Sequence, residues 1–359
     1  MEVAEPGWVR FVPHEPNNKA RKHLWGYFVA YLAWVPRARR AARRLHEQEP
    51  FDVAYHATYS AYWIPSAATG LPIPSVWGPV GGAVTTPRRM WPALGARGMF
   101  WELFEMAAVK AISMFPTTRR TWRRATVPIV QNRSTLRRLP SDVRRRAVIM
   151  NHVMFAEIVE AEPVERGQFV LFANNFESRK GVHLALHAIA RSSEHIRLVL
   201  VGDGPERRSV ERLIKRLGIE HRVDQQGFIP YDDVQELFAT AGAVLFTGVR
   251  EEGGLALAET MLRGAPVAVL SNGGAQTIAE SAPDASRIAL IAPGSLDQIA
   301  DDMADAITDF IDNPPSRVGP NLDQEHARRE LQRIVSEVAG FRFEPPADTT
   351  TETPVAYVS

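Results

Sequence analysis

The stretch Ala243-Val-Leu-Phe-Thr247, followed two residues later by Arg250-Glu251-Glu252-Gly253-Gly254-Leu255-Ala256-Leu257-Ala258-Glu259-Thr260-Met261, decides the fold. The first run is apolar and bounded by glycine, the pattern of a buried strand. Leu255 to Arg263 reads as a helix, closed by Gly264 and then Pro266. A strand, a glycine turn and a helix in direct succession are the repeating piece of a parallel α/β sheet. Amides exposed at such a turn, with the positive end of the helix dipole behind them, make an anion site. Gly253 and Gly254 let a ligand approach the backbone closely. Two carboxylates, Glu251 on the loop and Glu259 in an early helical turn, stand eight positions apart and can face one pocket. A carboxylate accepts hydrogen bonds from sugar or ribose hydroxyls, so the site suits a nucleotide-activated sugar. Acidic residues near a helix start are also favoured by the dipole alone, and the choice rests on the rest of the chain.

Outward from this unit the alternation continues. Strands are predicted near 169–173, 196–201, 223–227, 266–270 and 286–291, with helical stretches between them. This is a doubly wound domain, whose ligands bind beyond the carboxyl ends of the strands. Upstream, Asp52-Val-Ala-Tyr-His56 reads as a strand, residues 60–69 as a helix and Pro74-Ser-Val-Trp77 as a second strand. A glycine-rich loop, Gly78 to Gly82, then a helical stretch over 99–125 and the strand Val127-Pro-Ile-Val130 complete a second α/β region. The resulting domains are 1–150, a linker at 151–168, a second domain at 169–322, a terminal amphipathic helix at 323–340 and a tail at 341–359. The tail is too polar and proline-rich to fold.

Composition narrows the function. A length of 359 residues suits two domains, and 45% hydrophobic with 23% charged residues is ordinary for a globular protein. The absence of cysteine excludes thiolate metal sites, disulfides and thiol catalysis. No apolar run approaches the roughly 18 residues of a membrane span, and the amino terminus lacks the order of a signal peptide, so a cytoplasmic location is expected. Charge is split: residues 1–150 hold 23 Lys/Arg against 9 Asp/Glu, and the remainder 19 against 32. No nucleic-acid recognition module is present. The basic half instead suits an anionic membrane surface, placing the protein peripherally on the inner face of the cell membrane, or a phosphorylated acceptor; solvated helix faces filled with arginine explain it equally. The basic, aromatic segment Lys19–Gln48 could lie on a membrane, but a strand follows directly, which favours a buried helix with snorkelling arginines. His183 and His187 lack the glutamate of a zinc-protease motif and read as helix surface.

Further motifs recur in a fixed order: Phe172-Ala-Asn-Asn-Phe-Glu-Ser-Arg-Lys180-Gly181, Val201-Gly-Asp-Gly-Pro205, Gln226-Gly-Phe-Ile-Pro230, the Glu-Glu-Gly-Gly turn, Gly264-Ala-Pro-Val267 and Ser271-Asn-Gly-Gly274. This order resembles the carboxyl-terminal domain of glycosyltransferase family 4, retaining enzymes of the GT-B fold. The loop Trp77-Gly-Pro-Val-Gly-Gly82 is similar to a branch of that family. The resemblance implies two Rossmann-like domains facing a cleft, the first incomplete, because the family's opening strand and glycine-rich loop have no counterpart here. Either the true start lies upstream or the chain is a degenerate relative. It implies that Glu251 binds hydroxyls of the donor sugar and Glu259 the ribose, while amides at Gly253, Gly254 and Leu255 hold the sugar and diphosphate. Lys180 would neutralise the departing diphosphate, Gly227 and Phe228 would border the base, and His56, Gly81 and Gly82 would close the pocket from the first domain. Asn175 stands where the family carries a second, arginine clamp, and offers a hydrogen bond without charge.

The implied function is transfer of a sugar, with retention, from a nucleotide-sugar to a glycan or lipid-linked acceptor in cell-surface polysaccharide or glycolipid synthesis. No cofactor and no metal are expected, in keeping with the absence of any Asp-x-Asp triplet. Two other readings stay open: a non-catalytic GT-B-fold binding or scaffold protein, and a nucleotide-sugar epimerase.

Overall fold

The computed structural model describes residues 24–57, 61–150, 166–315 and 319–341. The first region opens with helix α1 (Leu24–Gln48) and continues through β1 (Ala54–His56), a 3-10 turn at Ala68–Gly70, and β2 (Ser75–Val80). Helices α2 (Trp91–Ser113) and α3 (Pro116–Arg124) lead to β3 (Val127–Val130), short α4 (Arg133–Arg138) and α5 (Ser141–Arg144), and β4 (Val148–Ile149). The four strands form a parallel sheet in the order β1-β2-β3-β4. Its core includes Trp77, Val80, Trp122, Val130 and Val143.

The second region alternates without interruption. It comprises β5 (Phe169–Ala173), α6 (Val182–Arg191), β6 (Arg197–Val201), α7 (Arg207–Leu217), β7 (Val223–Gly227), α8 (Tyr231–Thr240), β8 (Ala243–Phe246) and α9 (Leu255–Leu262). Then come β9 (Val267–Leu270), α10 (Gly273–Ala279), β10 (Ile288–Ile291) and α11 (Leu296–Asp312). The strands are parallel in the order β10-β9-β8-β5-β6-β7. Chain order runs β5-β6-β7 to one side and β8-β9-β10 to the other, so the direction of winding reverses between β5 and β8. A crevice opens at such a switch point, beyond the carboxyl ends of the two strands. All four residues of β8 and of β9 are buried, as strands covered by helices on both faces require.

The final helix α12 (Gln324–Ala339) returns to the first region. Its Ile334 is buried against Val76, Ile129 and Met150, with Leu331, Val335 and Val338 packed alongside. A helix at the end of the chain thus covers one face of the opening sheet. In α1, Tyr31, Val35 and Ala38 are buried while the arginines stay at least partly exposed, which is the buried-helix reading with apolar arginine stems along its flank.

Three local expectations need correction. Residues 61–67 are turns rather than helix, and only the 3-10 turn at Ala68–Gly70 follows; Pro65 lacks the amide that a helix interior needs. The stretch 99–125 is two helices, broken because Pro116 holds Phe115 in extended conformation (ψ 141°) and starts α3. Strand β2 runs through Gly78 to Val80 instead of ending at Trp77. Of the expected linker, 151–165 lies outside the described residues, as does the tail beyond Phe341.

Candidate active site

Two loops meet at the switch point. After β5 the chain turns through a 3-10 segment, Ser178–Lys180, into Gly181 (φ 70°) and α6. A Cβ on Gly181 would strike the carbonyl of Thr247 just after β8, so glycine allows the two loops to touch. Thr247 Oγ1 ties them together by donating to the carbonyls of Lys180 and Gly181 at 3.0 and 2.9 Å. The loop after β8 then delivers Glu251 to Lys180: Nζ donates to Oε2 at 2.7 Å. Both side chains are largely withdrawn from water, at 15% and 13% exposure. The other oxygen, Oε1, accepts from the amide of Gly254 at 3.1 Å, the residue (φ 64°) that precedes α9. A cation, a carboxylate and a helix-start amide thus converge within one hydrogen-bonded unit.

Glu259 lies four residues beyond Leu255 on α9, about 6 Å further along the axis, and accepts from the Tyr231 hydroxyl at 3.2 Å. Burial pushes its carboxyl above the usual range, partly offset by that hydrogen bond. Asn175 is exposed; its amide donates to the Asn174 side chain. Gly227 ends β7, and Phe228 beside it is 83% exposed.

The sequence reading missed what Arg250, Glu252 and Asn272 do. Glu252 Oε1 accepts from the buried amide of Val84 at 2.7 Å, and Oε2 accepts from Asn132 Nδ2 at 3.2 Å. Arg250 pairs with Glu105 on α2 at 2.7 Å, with Glu102 at 3.5 Å. Asn272 Nδ2 holds the loop by donating to Val249 O at 2.7 Å. Gly273 and Gly274 have a packing reason: a Cβ on the first would collide with Glu251 O, and on the second with Glu252 O. The turn that carries the donor-type residues is therefore also the bridge between the two regions. The partners of Arg250 and Glu252 lie more than a hundred positions away, so no local spacing could announce them.

Gly81 and Gly82 follow β2, and a Cβ on Gly81 would come within 3.0 Å of Glu252 Oε2; the structure brings them against the turn. His56, at the carboxyl end of β1, is buried with its Nδ1 2.9 Å from Ser66 Oγ. A cleft of about 250 Å³ beside Gly82 is lined by Tyr62, Val109, Lys110, Arg138 and Arg250. His183 packs against α7, 2.9 Å from Ser209 Oγ, and burial lowers its proton affinity. Among the described residues no His/Asp/Glu group is arranged to hold a metal ion, and no helix is long and apolar enough to cross a membrane.

Two parallel α/β sheets, joined across a cleft by a loop at the switch point of the second, define the GT-B class of protein. Residues 155–321 match the family model of glycosyl transferases group 1. The chain is 31% identical over 172 residues to 2-deoxystreptamine glucosyltransferase of Streptomyces kanamyceticus, a match spanning 47% of this chain and 41% of that protein. It is 36% identical over 104 residues to N-acetyl-alpha-D-glucosaminyl L-malate synthase of Bacillus anthracis, spanning 28% of this chain and 27% of that one. The matched part is thus less than half the length of these relatives. In fold the chain is similar to Anabaena HepE solved with UDP (TM-score 0.54, 17% identity, 84% of this chain and 82% of that one). It is also similar to the lipopolysaccharide outer core galactosyltransferase WaaB (TM-score 0.51, 13% identity, 87% and 78%).

Proposed function

We propose that the protein is a retaining glycosyltransferase that moves a sugar from a nucleotide-sugar to a glycan or lipid-linked acceptor of the cell surface. The observation that carries this reading is the Lys180–Glu251–Gly254 unit at the switch point, with Glu259 further down the same helix. On donor binding, the amides of Gly253 to Leu255 receive the diphosphate and Lys180 Nζ turns from Glu251 to its oxygens. Glu251, freed from the lysine, accepts from sugar hydroxyls, and Glu259 from the ribose. The bond between the anomeric carbon and the phosphate oxygen breaks, and the acceptor oxygen bonds to that carbon on the same face. The acceptor proton passes to the departing diphosphate. Lys180 and the helix-start amides stabilise the charge that develops there, in place of a metal ion. Phe228 and Gly227 border the base, Asn175 supplies a neutral donor to the diphosphate, and His56 with Gly81 and Gly82 walls the pocket from the first domain.

Lys110 and Arg138 in the cleft beside Gly82 support an acceptor that carries phosphate. The exposed face of α2, with Phe100, Trp101 and Phe104, runs into Phe115 and the exposed arginines of α3. That combination supports a position on the cytoplasmic face of an anionic membrane, where aromatic and cationic groups share the interface. Calorimetric titration with a panel of nucleotide-sugars, then NMR of the product's anomeric configuration, tests the reading. Saturable binding that Glu259→Ala weakens about tenfold or more, the worth of a hydrogen bond to a charged group, is expected. Unchanged donor affinity in that variant, or an inverted product, overturns it.

A further inference from the structure

Helices α1 and α3 end at the amino edge of the first sheet, running into β1 and β3. The donor-type site lies at the opposite, carboxyl edge. Arg39 and Arg43 stand one turn apart on α1, and Arg120 and Arg124 one turn apart on α3. The two pairs converge over the 3-10 turn at Ala68–Gly70. Arg43 Nη2 donates to Gly70 O at 2.9 Å and Arg39 Nη2 to Ser66 O at 3.3 Å. A Cβ on Gly70 would strike the Arg39 guanidinium, so the side chain is seated against the turn. Its Nε is buried without a hydrogen-bond acceptor. Among the described residues none of the four arginines forms an ion pair. A pocket of about 540 Å³ opens here, lined by Arg43, His46, Thr69 and Arg124, with Glu47 the acid on its wall.

A basic residue in the last turn of a helix complements its dipole. That accounts for Arg124, but Arg39 and Arg120 lie a turn or more further in. Each helix end supplies about half a negative charge, against four guanidinium groups that stay protonated. Burial and the charges of Arg120, Arg43 and Arg124 all weaken the hold of Arg39 on its proton. Such an assembly favours an anion. We propose that this pocket is a second ligand site, separate from the donor site, that binds a phosphate or pyrophosphate group carried by a soluble molecule or a lipid headgroup. Two guanidinium forks from facing helices match the several oxygens of such a group, which a lone lysine would not.

The test is calorimetric titration of the full chain with inorganic pyrophosphate in the presence of saturating UDP, comparing wild type with Arg120→Gln/Arg124→Gln. Neither of these side chains is used to hold the fold by a hydrogen bond among the described residues. Wild type is expected to bind saturably, and the double variant about a hundredfold more weakly, at about tenfold per guanidinium. In anion-free buffer the variant is expected to melt higher, because repulsion is relieved; a merely structural role would lower it. UDP affinity is expected to be the same in both proteins. Flotation with phosphatidylglycerol vesicles, against phosphatidylcholine alone, separates the sources. Flotation lost in the variant but kept in Arg119→Gln/Arg123→Gln, which removes the same charge from α3 outside the pocket, assigns the site to a lipid headgroup, and flotation retained with pyrophosphate binding lost assigns it to a soluble ligand. Equal pyrophosphate affinity in the two proteins, or no saturable binding by wild type, overturns the proposal whether or not the chain binds UDP.

Discussion

Replacing Glu252 with alanine removes a carboxylate that joins the two regions. The amide of Val84 loses its acceptor at 2.7 Å, and Asn132 loses its bond to Oε2 at 3.2 Å. Val84 is 1% exposed, so water does not simply take the place of the lost oxygen. A hydrogen bond to a charged group contributes about 1.5–3 kcal/mol and a longer one about 0.5–1.5 kcal/mol. A loss of about 3 kcal/mol follows, equivalent to about a 150-fold fall in protection of the Val84 amide. Hydrogen exchange followed by mass spectrometry reads this directly, on a peptide that contains Val84. The amide of Gln131, which donates to Val80 O at 2.9 Å inside the first sheet, serves as the internal reference and is expected to keep its protection. Val84 protection equal to wild type would refute the clamp. Equal losses at Val84 and Gln131 would refute it too, since the sheet itself would then be opening.

Lys180→Ala is expected to lower kcat about a hundredfold with a smaller change in donor KM, as removal of a group acting on the leaving charge does; steady-state kinetics check it. Activity of the native enzyme is expected to persist in excess EDTA, measured by product release. Glu259→Gln bears on pH. Its carboxyl is raised by burial, so the folded wild type holds that proton to higher pH than the unfolded chain does. Wild type therefore loses stability relative to the variant as pH rises from about 4.5 through the raised folded value, and the difference vanishes in acid, where both states are protonated; melting curves from about pH 4 to about pH 8 follow it. Gly273→Ala puts a Cβ into Glu251 O at a positive φ of 61°, and is expected to cost about 2 kcal/mol or more, read as a lower urea midpoint together with weakened donor binding.

Much of this was legible in the chain. The strands at 169–173 and 127–130 fall where the apolar runs lie, because a strand between two helical layers must be apolar along its length. The helix after Gly254 begins and ends at the expected glycines. Legibility failed where a single proline acted within a favourable composition, as at Pro65 and Pro116. It failed too where a strand continued through Gly78 because a neighbouring carbonyl, Ile129 O, needed the space a side chain would fill. The role of α12 was equally hidden: its amphipathic pattern shows that it must pack, not that it packs on Val76 and Ile129 of the first sheet.

By itself the sequence determined the alternating elements, the turn at Gly253-Gly254 and the presence of Glu251 and Glu259 around it, since these depend on local periodicity and on what glycine permits. The tertiary structure alone decided the partners. The reversal of strand order between β5 and β8 sets Lys180 against Glu251, 71 positions on. The closing of one sheet over the other hands Glu252 to Val84, 168 positions back, and two helices ending at one sheet edge gather four arginines around one pocket. Hydrogen bonds and charges act through space over a few ångströms, and only the path of the folded backbone determines which residues come that close.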